Sequence, residues 1–119
     1  MKNADLSRLP NSHKLIINHL IMKFTENSNI ESIFLFGSCA KGTANKESDI
    51  DIFVVTKNEI YDDSQEAYEI LYSSTDDIPL EEYISCDILT ATKNDFSSDL
   101  TPLIRTVKRE GVELRGILQ

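Results

Sequence analysis

Between residues 37 and 55 the chain reads Gly37-Ser38-Cys39-Ala40-Lys41-Gly42, then Ser48-Asp49-Ile50-Asp51-Ile52-Phe53-Val54-Val55. A turn of small residues is followed by a strand that opens on two carboxylates one residue apart. Side chains i and i+2 of a strand share a face. Asp49 and Asp51 therefore project together, and Ile50, Ile52 and Val54 project to the other side. Two carboxylates held this close resist joint ionisation unless a cation lies between them.

The rest of the chain alternates between helical and strand patterning, which predicts an α/β protein: a small mixed β-sheet flanked by helices. At 119 residues the chain has the length of one domain, here residues 1–119, with neither an internal repeat nor a dividing linker. A helix is expected from about Asn11 or Ser12 to Glu26, with Ile17, Leu20, Ile21 and Phe24 on one stripe. His13 and His19 are six apart on it, so they occupy different faces and make no metal pair; each is a solvated or packed histidine. Strands are expected over Ser32–Phe36, about Asp49–Thr56 and about Glu82–Leu89, with a loop through Lys41–Lys46 after a turn of helix beginning at Ser38.

A second helix is expected over about Glu59–Tyr72. Tyr61, Tyr68 and Tyr72 lie along its flank, and Asp62, Asp63, Glu66 and Glu69 form its solvated face. A last helix starts near Thr101-Pro102, where Thr caps and Pro occupies the first turn. It ends at Gly111, with Leu103, Ile104 and Val107 as its stripe. Arg105, Lys108 and Arg109 fall toward its C-terminus, where cations complement the helix dipole.

The formal charge is −8. That argues against a protein that grips DNA or RNA by neutralising many phosphates. The chain has no apolar run approaching the roughly 20 residues of a membrane span and no apolar leader, so a cytoplasmic location is expected. Cys39 and Cys86 cannot make a zinc site alone and are expected as free thiols.

Nucleotidyl transfer needs carboxylates on rigid strands to hold metal, and a turn whose amides reach a triphosphate. Gly37-Ser38 offers such a turn, since glycine permits close approach and serine supplies an N–H and a hydroxyl. Asp49 and Asp51 are the candidate metal ligands. Asp87, an acid inside an apolar strand, is the candidate third carboxylate. A different account is open to the strand acids: edge strands carry charges that discourage aggregation.

Gly37-Ser38, ten residues, then Asp49-x-Asp51 resembles the signature of the DNA polymerase β-like nucleotidyltransferase superfamily. The fuller string GSCAKG…SDIDIFVV, the later strand Asp and the C-terminal Arg-Glu-Gly-Val-Glu-Leu resemble its minimal branch, the MntA-type antitoxins. The resemblance implies that Asp49, Asp51 and Asp87 bind metal, two Mg²⁺ ions, and that Asp87 helps activate the acceptor. It gives Gly37, Ser38 and Lys41 to the triphosphate of ATP, the co-substrate. It further implies a partner, a HEPN-domain ribonuclease toxin held in a hetero-oligomer, whose tyrosine would receive AMP and whose RNA entry would thereby be blocked. Two other readings predict different behaviour: a non-catalytic antitoxin that silences the toxin by covering it, and a nucleotidyltransferase for a small-molecule acceptor.

Overall fold

The first core is built by one face of a single helix. In the computed structural model, which describes residues 2–3, 7–26, 30–57 and 84–114, α1 spans Asn11–Thr25 and buries Ile16, Ile17, Leu20 and Ile21 completely. Its partners are Ile33 and Leu35 from β2 (Ile30–Phe36), Ile50, Ile52 and Val54 from β3 (Ile50–Thr56), and Ile88 from β4 (Cys86–Thr92). Each such side chain contributes roughly 1.5–3 kcal/mol by leaving water.

The opposite face of the same strands carries a second core. Phe34, Phe53 and Val55 meet Ile104 and Val107 of α4 (Pro102–Glu110). Phe96, from the short α3 (Lys93–Ser97), lies 5.3 Å from Phe34 and 5.9 Å from Phe53 between ring centroids. The sheet is thus covered by helices on both faces. The expected alternation of β3 holds, and the carboxylate face of its first residues continues inward as the Phe53–Val55 core.

With β1 (Lys2–Asn3) and β5 (Val112–Glu113) the sheet has five strands among the described residues, in the order β1-β5-β2-β3-β4. β2 is antiparallel to β3 and β5, β3 is parallel to β4, and β1 is parallel to β5, so the sheet is mixed. A parallel pair requires a long connection. The helix expected over Glu59–Tyr72 falls in that connection and lies outside the described residues, as do its tyrosines.

Several boundaries differ from expectation. β2 begins at Ile30 instead of Ser32, and β3 begins one residue after Asp49. β4 runs from Cys86 to Thr92, shifted from Glu82–Leu89. Its last residues, Thr90-Ala91-Thr92, carry weak apolar signal, yet pair in register with Val54, Val55 and Thr56. The helix expected from Ser38 is α2 (Gly37–Lys41), ended by Gly42 in the left-handed region at φ 76°.

α4 starts where expected, with Thr101 Oγ1 accepting the Ile104 N–H at 3.1 Å. Gly111 ends it without a positive φ. What glycine supplies there is space, because an added Cβ would strike the Val107 carbonyl oxygen. No helix among the described residues is long and apolar enough to cross a membrane.

Candidate active site

The sheet brings the predicted carboxylates to one place. Asp51 and Asp87 are directly opposed across the parallel β3–β4 ladder, so they share a face on neighbouring strands. Asp49 stands exposed at the mouth of β3, and Asp51 is half-buried. Burial pushes the Asp51 carboxyl above its ordinary range, and the negative charges of Asp87 and then Asp49 push it further. β3 lies between β2 and β4, so edge protection does not account for Asp51. Among the described strands β4 is an edge, and for Asp87 that account stays open.

Gly37 closes the other side. Its φ is 71°, and a Cβ added there would collide with Asp51 Oδ2. Only glycine brings the start of α2 this close to the carboxylate. Ser38 follows in the first turn of α2, where no side chain caps the helix. Lys41 sits at the far end of that helix, exposed, with Nζ 4.0 Å from Glu110 Oε2. A surface pair at that distance holds the lysine weakly.

The backbone around Asp49 is held from three sides. The ring of His13, fully buried on α1, places Nε2 2.7 Å from the Ser48 carbonyl oxygen. Cys39 Sγ donates to the Asp49 carbonyl at 3.5 Å, and the Ile50 N–H donates to the Ser85 carbonyl at 2.9 Å. A turn over Asn45–Ser48 precedes them, with the Asn45 N–H on Ser48 Oγ and the Glu47 N–H on Asn45 Oδ1. The sequence reads His13 only as a solvated or packed histidine. Its contact spans 35 residues, and no local pattern signals it.

Both cysteines are free, as expected. Burial first, then Asp51 and Asp49, push the Cys39 thiol up to about 11. Burial first, then Asp87, push Cys86 up to about 12. Thiols so protonated are poor nucleophiles, which speaks against redox chemistry at the site. The cations of α4 are engaged locally: Lys108 pairs with Asp99 and lies 4.7 Å from the Phe96 ring centre, and Arg105 donates to the Asp99 carbonyl at 3.2 Å.

Among the described residues no group of three or more His, Cys, Asp and Glu side chains is disposed to hold a metal ion as it stands. The donor chemistry nevertheless fits a hard divalent cation. Asp51 and Asp87 are carboxylates on rigid neighbouring strands, and the repulsion that lifts Asp51 is what a cation would relieve.

A doubly covered mixed sheet with an acidic face against a glycine turn defines a nucleotidyltransferase-type domain. The family model for polymerase beta nucleotidyltransferases matches residues 18–112, and the chain belongs to that family. Among solved structures, a toxin–antitoxin crystal structure with AMP-PNP is 26% identical, at a TM-score of 0.57, with 82% of this chain covering 70% of that one. The toxin–antitoxin MntA-HepT is 24% identical, at a TM-score of 0.52, with 84% covering 69%. The family match bears out the expected nucleotidyltransferase kinship, and the likeness to MntA-HepT bears out the expected fold. Among curated proteins none matches the chain.

Proposed function

We propose that this chain is the antitoxin of a toxin–antitoxin pair, transferring AMP from Mg-ATP to a tyrosine hydroxyl of a HEPN ribonuclease partner in the cytoplasm. The observation that carries the reading is the opposition of Asp51 and Asp87 on one face, with Gly37 against Asp51. The likeness to a toxin–antitoxin structure with AMP-PNP supports both the nucleotide and the kind of partner.

In the proposed reaction the acceptor oxygen attacks the α-phosphorus of ATP. A new O–P bond forms, the bond from that phosphorus to the bridging oxygen of the β-phosphate breaks, and pyrophosphate leaves. Bound Mg²⁺ supplies charge neutralisation and a lowered pKa for the attacking hydroxyl. Asp49, Asp51 and Asp87 would hold it, and Asp87 would help activate the acceptor by taking the hydroxyl proton. Gly37 and Ser38 hold the triphosphate through backbone N–H groups and the serine hydroxyl, and Lys41, loosely paired, is available to a phosphate. The acquired phosphate would block RNA entry by bulk and by its negative charge.

Intact-mass analysis of the toxin, co-expressed with wild type or with Asp49→Asn, tests the reading. It predicts toxin heavier by one or more AMP groups with wild type and unmodified with the variant. Unmodified toxin that is still silenced by both would replace transfer with neutralisation by binding.

A further inference from the structure

From the hydrogen bond that His13 makes to the strand opening on Asp49, we infer that His13 is a positioning residue for the metal–nucleotide site. Its Nε2–H fixes the Ser48 carbonyl and so sets where the Asp49 carboxylate stands. The inference rests on the nucleotidyl-transfer reading of the acidic face.

A carbonyl oxygen only accepts, so in the 2.7 Å contact Nε2 is the donor. Nδ1 is buried, and among the described residues it has no hydrogen-bond partner. An apolar side chain at this place in the core would carry no such unmatched atom, so the histidine costs stability that packing alone would not require.

What the imidazole provides is a donor that reaches from α1 across the core to residue 48. The Ser85 carbonyl holds the next strand position, Ile50, through its amide. Asp49 lies between these two anchors, outside the strand ladder, and has no regular pairing of its own to fix it. The bond from Cys39 Sγ to its carbonyl, at 3.5 Å, is long and weak by comparison. Among the described residues His13 therefore makes the shorter of the two side-chain contacts that hold the backbone at Ser48 and Asp49.

Groups that orient metal ligands from behind typically cost 10- to 100-fold in metal affinity or activity when removed. Calorimetric titration of Mg-ATP into wild type, His13→Phe, His13→Gln and Asp51→Asn, beside the thermal midpoint of each metal-free protein, tests the assignment. His13→Phe keeps a flat buried ring without a donor, and His13→Gln keeps an N–H of similar reach. Mg-ATP affinity should fall about tenfold or more in His13→Phe, without a lower thermal midpoint, and His13→Gln should recover most of it. His13→Leu takes the place of the phenylalanine variant if that one does not fold.

Equal affinity in wild type and the donor-free variant would overturn the positioning role. So would equal losses in His13→Phe and His13→Gln, or an affinity loss that only tracks a lower midpoint. Asp51→Asn separates the two levels. If it binds Mg-ATP like wild type, the acidic face is not the nucleotide site and the inference fails with it; if it loses binding while His13→Phe does not, only the inference fails.

Discussion

Asp51 is held where its charge is unwelcome. Its carboxyl is raised from the ordinary 3.8 by burial and by Asp87 and Asp49. Without a cation, the folded state therefore gains from a neutral carboxyl: that stability is fully present below the ordinary carboxylate range and is lost as pH rises through the raised value. Asp51→Asn is expected to melt higher than wild type at pH 7 without metal, with the gap closing on acidification. Mg-ATP is expected to raise the melting temperature of wild type, and the same variant should lack that rise. Gly37→Ala should instead be less stable and also bind nucleotide less well: a left-handed backbone costs about 1–2 kcal/mol, and the Cβ displaces the Asp51 carboxylate, so resistance to denaturant and nucleotide affinity should both fall. The thiols offer a separate check. With Cys39 and Cys86 pushed to about 11 and about 12, a thiol reagent at pH 8 should label the native protein slowly and the unfolded chain fully.

At the scale of elements, the sequence marks what is periodic or punctuated. α1 shows its apolar stripe, β3 its alternation, and α4 its Thr101-Pro102 start. β1 and β5 have two residues each, too few for any alternation to appear. α3 is a single short turn capped by Thr92, visible only once Phe96 is seen between Phe34 and Phe53. The carboxylates and Gly37-Ser38 were readable because their spacing is local. That Asp87 opposes Asp51 depends on strand register, and that His13 reaches Ser48 depends on how α1 packs; neither is written in a nearby pattern. α4 also supplies a control remote from the acids. Thr101→Ala should cost about 1 kcal/mol in denaturant unfolding by removing the cap on the Ile104 amide, and leave Mg-ATP affinity unchanged.

Among the described residues the molecule is a sheet with a core on each face, each serving the site differently. The α1 core fixes the strands and, through His13, the approach to Asp49. The α4 core fills the face of β3 behind Asp51, and so leaves the carboxylates at its open end. A net charge of −8 favours an acceptor that brings its own basic groups, and disfavours tight hold on a bare nucleic acid. The central claim is that this arrangement transfers a nucleotidyl group to a protein. Incubating the chain, Mg²⁺ and the proposed toxin partner with ATP labelled at either the α- or the γ-phosphate tests it most directly. Label on the toxin from α-labelled ATP alone, abolished by Asp49→Asn, is the predicted result; label from the γ-position, or equal α-label with the variant, would contradict it.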